Sequence, residues 1–193
     1  MMDLRRLVRV AIIALLAAPA ACSSPAPNLY VIAPIAGPVR TGAPKAIELR
    51  QIGLARYLER SEIVRSSEHY RLDVMSNDWW GEPLDAMLAR VLAEELGQRL
   101  PGSTVYTDTG ALTLARDATV AVDVSRLDQD AAGRLVLRAE AATTVAGQKK
   151  PLARAFRFAV VPPVPGTEGN VAAISTAVGE LADGIALMLT EGR

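Results

Sequence analysis

Hydrophobic and polar residues alternate along several segments of the chain, a pattern typical of half-buried β-strands. In the second half, alternation predicts three long strands, in "TVAVDVSRLDQD", "GRLVLRAEAATTVAG" and "LARAFRFAVV". Ala132-Gly133 marks a hairpin turn between the first two. In the first half, shorter strands are predicted in "LYVIA", "AIELRQIGL", "IVRS" and "HYRLDVM", and "STVYTD" is a further short strand. Within "HYRLDVM", the alternation places Tyr70, Leu72 and Val74 on one face.

Hydrophobic residues at helical spacing predict a first helix that ends near Leu100. Pro83 fits the first turn, where its missing N–H is harmless. Asn77 or Asp78 is the predicted N-cap. Pro101-Gly102 ends the helix. Its hydrophobic stripe consists of Leu84, Met87, Leu88, Val91, Leu92 and Leu96.

A second helix is predicted from Asn170 to Thr190, again with one hydrophobic stripe. The chain thus reads as three or four strands, a helix, a short strand, three long strands and a final helix. Two amphipathic helices can cover one face of a sheet. The predicted fold is an α/β two-layer sandwich, with a mixed, mostly antiparallel sheet and two amphipathic helices.

The first 21 residues have the parts of a secretory signal peptide. Arg5, Arg6 and Arg9 give a positive start, Val10–Ala18 supplies an apolar run, and small residues follow. The apolar run is too short to span a bilayer. Export is therefore expected, and cleavage removes three arginines and one aspartate from a chain of zero formal charge, which leaves it slightly acidic.

Cys22 is the only cysteine of the chain and directly follows this segment. One cysteine cannot form an internal disulfide, and this position is that of the lipidated first residue of a bacterial lipoprotein, with acyl chains such as palmitate. Residues 22–28 then serve as lipid anchor and spacer. Ser23 after the cysteine favours the periplasmic face of the outer membrane. Because Pro19 departs from the usual aliphatic residue of a lipoprotein signal, and sorting rules differ between lineages, inner-membrane anchoring and a soluble periplasmic protein are the alternatives.

Composition and motifs argue against nucleic-acid binding and against catalysis. The 21 Lys and Arg residues balance 21 Asp and Glu residues without a basic stripe, so nucleic acid is not an expected partner. His69 is the only histidine, and the sequence has no Cys/His cluster with metal-ligand spacing, no phosphate-binding loop and no nucleophile elbow. We expect a non-enzymatic protein that needs no cofactor and no metal.

The carboxylates support the same conclusion. Asp78, Glu82 and Asp85 gather at the predicted start of the first helix, where acidic side chains stabilise the helix dipole. Asp123 and Asp128 lie on or after a predicted strand and have no evident partner in the sequence. No pair is spaced in a way that indicates general acid and base catalysis.

Both tryptophans of the chain stand side by side, as Trp79 and Trp80. Neighbouring residues point about 100° apart on a helix and to opposite faces on a strand. The two indoles therefore cannot easily share one pocket. We expect one of them to be buried and the other to lie at the surface; the alternative is that both are partly buried as part of the core at the helix start, since aromatic side chains dominate core energetics.

Two segments carry a resemblance to a known family. "GLARYLERSEIVR", Gly53 to Arg65, and "NDWWGEPLDAMLARVLAEELGQRL", Asn77 to Leu100, resemble the PqiC-type family of ABC-transport auxiliary lipoproteins. The chain departs from that pattern at Ala55, where the family often has proline, and at Glu59, which replaces the usual aspartate. The residues that match are Tyr57, Leu58, Arg60, Ile63, Val64, Trp80, Pro83 and Leu84.

The resemblance implies one ABC-transport auxiliary domain over residues 29–193 with a non-enzymatic role at the outer membrane. The implied partner is a periplasmic MCE-domain protein, which connects it indirectly to an ABC ATPase and a permease. Phospholipids or other hydrophobic molecules are the implied cargo, and membrane integrity the implied benefit. A homo-oligomer is plausible because a docking component must match a symmetric partner. The alternative is a soluble or anchored periplasmic binding module that carries an apolar ligand in its own cavity.

The resemblance also directs attention to particular side chains. Trp80 matches the family tryptophan and is expected at the joint between the first helix and the sheet, together with Pro83 and Leu84. Trp79 is the additional indole, so it is expected to be the more exposed of the two and a candidate for partner contact. The other predicted partner-binding residues are Tyr57 and Arg60.

Overall fold

The computed structural model describes residues 25–111, 114–148 and 150–191. The predicted signal peptide and the predicted lipid attachment site, Cys22, lie outside these residues. Within them, nine strands form one mixed sheet, accompanied by two α-helices. The predicted α/β fold with a mixed sheet is therefore confirmed, and the two-layer arrangement stays a prediction.

The elements follow the predicted order, except that five strands rather than three or four precede the first helix, because the segment "AIELRQIGL" forms two strands instead of one. The strands are β1 (Asn28–Tyr30), β2 (Ala46–Leu49), β3 (Gly53–Leu54), β4 (Glu62–Ser66), β5 (Asp73–Trp80), β6 (Thr104–Thr107), β7 (Ala118–Gln129), β8 (Leu135–Val145) and β9 (Leu152–Val160). The helices are α1 (Leu84–Arg99) and α2 (Thr167–Glu191), and a short 3-10 helix spans Arg56–Leu58.

The long strand β7 organises the sheet. On one edge it pairs antiparallel with β8, which pairs antiparallel with β9. On its other edge it pairs in turn with β2, β3 and β4, all parallel to it. Beyond these, β6 pairs with β2, and β5 and then β1 extend the sheet from β4. Segments that are distant in sequence, before and after α1, thus share one sheet.

One hydrophobic core joins both helices to the sheet. The stripes predicted for the two helices are buried in full, because each stripe supplies the apolar face that packing requires. By length and composition, α2 could cross a membrane, yet 67% of its most apolar 18-residue stretch is buried inside the protein. A core helix meets the same description.

Two buried charged residues of α1 fix the loop between β1 and β2. The Glu95 carboxylate accepts a hydrogen bond of 2.7 Å from the Ile35 backbone N–H. The Arg99 guanidinium donates to the Ile35 carbonyl at 2.9 Å and to the Gly179 carbonyl of α2 at 3.0 Å, and it pairs with Asp183. These contacts clamp the loop between the two helices.

The strand predicted in "HYRLDVM" is wrong in its position. His69 and Tyr70 have φ angles of 55° and 62°, in the left-handed region that non-glycine residues rarely adopt. They form the turn between β4 and β5, so the strand begins only at Asp73. Tyr70 and Leu72 consequently do not share a strand face with Val74.

The predicted cap of α1 is also wrong. Asn77 and Asp78 lie inside β5, and Pro83 is the N-cap residue itself rather than part of the first turn. The Asp78 carboxylate instead accepts hydrogen bonds from Thr167 and from Asn28, and these contacts lower its pKa. Pairing of β5 with β1 and β4 holds the segment in the sheet, which local capping preferences could not reveal.

Candidate functional site

An open groove of about 880 Å³ lies where the two family-like segments meet. One wall comes from β3 and the residues after the 3-10 helix, and the other from the end of β5 and the start of α1. The lining includes Arg60 from the first segment and Trp80, Pro83 and Leu84 from the second. Four residues singled out in the sequence are thus brought together at one surface.

Backbone contacts hold the two walls in register. The Trp80 N–H donates to the Ser61 carbonyl at 2.7 Å, and the Gly81 N–H donates to the Tyr30 carbonyl at 2.9 Å. Pro83 then directs the chain into α1, whose first hydrogen bond runs from the Met87 N–H to the Pro83 carbonyl. Trp80 is 7% exposed and therefore forms part of the core beneath the groove.

The groove carries an excess of negative charge. Four carboxylates and one guanidinium line it: Glu59, Glu82, Asp85, Asp123 and Arg60. The Arg60 Nε atom lies 3.5 Å from Glu62, and the guanidinium of Arg90 holds Glu82 at 2.6 Å. Because these ion pairs neutralise Arg60 and Glu82, the formal charge left in the groove comes from Glu59, Asp85 and Asp123.

Asp123 was not expected at a site, because it had no evident partner in the sequence. The register pairs it with Gly53 of β3. A Cβ atom at position 53 would lie 2.5 Å from the Asp123 carboxylate oxygen. Glycine therefore lets this carboxylate lie against the backbone of the neighbouring strand, a long-range requirement that the local sequence does not signal.

Tyr57 belongs to a different cluster and does not line the groove. Its hydroxyl donates to the Asp128 carboxylate at 2.8 Å. That carboxylate also accepts from Ser67 at 2.7 Å and from the Arg126 Nε at 2.9 Å. Burial, together with the Asp128 carboxylate, raises the pKa of Tyr57 to about 12, so the phenol stays a hydrogen-bond donor.

This cluster corrects the interpretation of Asp128, which is fully buried and has three partners. The register of β7 shifts between Val124 and Arg126, which turns Leu127 into the hydrophobic core, and its neighbour Asp128 is buried as well. The polar network ties the 3-10 helix to the end of β4. The contact gives Tyr57 a structural role, and its proposed contact with a partner stays a prediction.

The two tryptophans lie on opposite faces of β5, as strand geometry requires. Trp79 is half-buried and therefore more exposed than Trp80, as expected. Its indole N–H donates to the Ser76 carbonyl at 3.2 Å, and its cross-strand neighbour on β1 is Leu29, which is 66% exposed. Trp79 does not line the groove.

Cys22, the predicted lipid attachment residue, lies outside the residues described. Across residues 25–111, 114–148 and 150–191, no three His, Cys, Asp or Glu side chains are grouped so that they could hold a metal ion. The groove itself presents carboxylates, one arginine and an apolar floor.

Comparison with known proteins covers both family-like segments and most of the remaining chain. The model of the family described as the ABC-type transport auxiliary lipoprotein component matches residues 29–186. The crystal structure of an uncharacterized protein superposes with a TM-score of 0.71 at 20% identity, over 84% of this chain and 97% of the other. A crystal structure from Xanthomonas campestris gives 0.67 at 17% identity, over 84% and 95%. These structures show a shared fold, and no curated protein sequence matches the chain.

Proposed function

Since the chain belongs to the family of ABC-type transport auxiliary lipoprotein components, we propose that it is a non-enzymatic outer-membrane lipoprotein of an ABC-type lipid transport system. In this role it docks a periplasmic MCE-domain protein, and through it the ABC ATPase and permease of the inner membrane. Cys22 carries the acyl chains, and residues 29–193 form the docking domain.

The observation that carries the proposal is the convergence of the two family-like segments on one groove. Arg60 lies in the first segment and Trp80 in the second, and the backbone joins the two segments through Ser61. A shared surface, rather than a shared core alone, favours a contact function for both segments. Its exposed carboxylates suit a partner segment that carries Lys or Arg, because complementary charges guide docking.

The alternative of a carrier for an apolar ligand is less favoured by the same groove. Pockets for apolar ligands are mostly lined by hydrophobic and aromatic side chains. This groove presents five ionisable side chains and opens to solvent. An extended polar partner fits such a surface better than an acyl chain does.

Replacement of two exposed groove carboxylates tests the docking role. In Glu59→Ala/Asp123→Ala, we expect capture of the MCE-domain protein from detergent-solubilised membranes to fall at least tenfold. Glu94→Ala is the matched control, because Glu94 is exposed on α1 and does not line the groove. Equal capture by wild type, the double variant and the control would remove the groove from the docking surface.

The anchor is tested separately with Cys22→Ser. We expect this variant to leave the membrane fraction and the wild type to remain in the outer-membrane fraction. Mass spectrometry of the wild-type N-terminal peptide should show the added acyl chains. A Cys22→Ser variant that stays membrane-bound and fully active contradicts the anchor.

A further inference from the structure

The strand register defines one end of the sheet. Five residues stand opposite one another in a single row across five strands. In order across the sheet they are Asp73, Ser66, Gln129, Leu135 and Val160. Because each strand contributes one member, the turns that follow this row project from the same end of the molecule.

Three turns form that end, which we term the tether end. They comprise residues 67–72, 130–134 and 161–166. Four of the exposed large hydrophobic residues of the described chain lie here: Tyr70 (110% exposed), Leu72 (38%), Val161 (71%) and Val164 (50%). Tyr70 is presented by the left-handed turn, in which strained backbone holds an aromatic side chain out in solvent.

The strand that follows the predicted anchor in sequence, β1, runs away from this same end. β1 runs parallel to β5, with Asn28 opposite Asp78. Asp78 lies five residues after Asp73, so Asn28 stands about 17 Å from the row at 3.3 Å per strand residue. The six residues from Cys22 to Asn28 can span roughly 20 Å at most. A lipid anchor at Cys22 therefore brings the membrane surface close to the tether end when the strands stand upright on it.

We propose that the tether end is a second membrane contact, which rests on the bilayer interface that holds the Cys22 lipid. Tyrosine is enriched at such interfaces, where its ring is amphipathic, and exposed apolar patches mark interaction sites. This inference rests on the anchor in the proposed function. It adds an orientation: the sheet stands on the membrane by its 67–72 and 161–166 turns.

Charge at the tether end does not oppose this contact. Its two acidic side chains are both paired with arginines, Glu68 with Arg126 at 2.6 Å and Asp130 with Arg134 at 2.7 Å. Arg71 is exposed in the same turn as Tyr70. At the opposite end of β8 and β9, the described residues between the two strands (146–148, 150 and 151) include no large hydrophobic residue.

Environment-sensitive labels on the reconstituted lipoprotein test the orientation. Tyr70→Cys, Val164→Cys, Val31→Cys and Lys150→Cys each add one thiol to a chain whose native cysteine is acylated. The full lipoprotein is inserted into phosphatidylethanolamine–phosphatidylglycerol vesicles, and an NBD label reports polarity and quenching by lipid-bound nitroxides. β8 is 11 residues long, so the labels at positions 70 and 150 should differ in height by about 30 Å.

We expect blue-shifted, lipid-quenched emission at positions 70 and 164, at least threefold more quenching than at 150, and little quenching at 31. If all four labels behave like that at position 150 while the protein floats with the vesicles, the orientation is wrong and the anchor stands. Quenching at 31 alone places the β1 edge on the membrane instead and also overturns the inference. A protein that takes up a second label at Cys22 and does not float contradicts the anchor and the orientation together.

Discussion

Glu95 should make the stability of the domain fall as pH rises, because its carboxyl is fully buried within α1. One of its oxygens accepts the Ile35 N–H, while the other, among the residues described, has no hydrogen-bond partner. Glu95→Gln keeps the acceptor and removes the ionisation. The variant therefore resembles the neutral carboxyl in shape and polarity.

The magnitude follows from the pKa. Burial raises the pKa of Glu95 from 4.5 to about 7; the Ile35 N–H and Arg99 oppose this shift, and Asp183 and Glu94 add to it. Below pH 4.5 the carboxyl is neutral in the folded and unfolded chains and stability is unaffected. As pH rises from 4.5 to 7 the unfolded chain ionises first, so folding loses stability, by about 3 kcal/mol in all. Above pH 7 both states are ionised and the loss is constant.

Urea unfolding of the unlipidated chain between pH 4 and pH 8 measures this loss. Tryptophan emission reports the transition, because Trp80 is buried in the folded state. The free energy of unfolding of Glu95→Gln minus that of wild type should grow by about 3 kcal/mol across the range. Taking the difference removes the titration of carboxylates common to both proteins.

Glu94→Gln serves as the matched control, since Glu94 is the adjacent residue and is exposed on α1. Its difference from wild type should change by less than about 0.5 kcal/mol, as is usual for surface substitutions. A Glu95→Gln difference that is equally flat with pH would refute the reasoning. It would mean that the carboxyl ionises in the folded protein without loss of stability.

Two further predictions concern packing and the buried polar cluster. Gly184→Ala should lower the free energy of unfolding by about 1–3 kcal/mol, because its Cβ would lie 2.3 Å from the Phe156 ring. Gly97→Ala, with open space at its Cβ, should be neutral or stabilise by up to about 1 kcal/mol. Thermal unfolding compares the two variants, and equal effects would contradict the packing argument. Tyr57→Phe removes one of three donors to Asp128 and should cost about 1–2 kcal/mol in urea unfolding, while an unchanged midpoint would show that the hydroxyl adds nothing to the cluster.

The period of the hydrophobic pattern was enough to predict most of the fold. β7, β8, β9 and both helices lie where alternation or helical spacing places them, because each must bury one face. The exception is the segment before α1. Asn77 and Asp78 favour helix caps locally, yet pairing with β1 and β4 extends β5 through Trp80. Strand pairing over long sequence separation overrides such local preferences.

The candidate site was predicted only in part, for a related reason. Arg60 and Trp80 were identified through the family pattern, and the groove brings them together. The roles of Asp123 and Asp128 come from tertiary contacts: Asp123 lies opposite Gly53 in the register of β3 and β7, and Asp128 accepts hydrogen bonds from side chains that are distant in sequence or shifted in register. Pattern arguments cannot locate such contacts, because neither pairing partner nor bulge position is encoded within a short window.

The groove and the tether end are compatible with simultaneous contacts because they lie at different heights on the same strand. β5 begins at Asp73 in the row that borders the tether end and ends at Trp80 in the groove. Those seven steps amount to about 23 Å, so an upright domain would hold the groove well clear of the bilayer headgroups. The acidic groove would then face the periplasm, where a protein partner can reach it, while the apolar turns stay at the lipid.

If the sheet instead lay on its β1 edge, the end of β5 would lie near the membrane, and docking at the groove would compete with lipid contact. Orientation on the membrane and access to the groove are therefore coupled, and variants at Tyr70 or Val164 that free the tether end should also weaken binding of the periplasmic MCE-domain partner to the membrane-anchored protein.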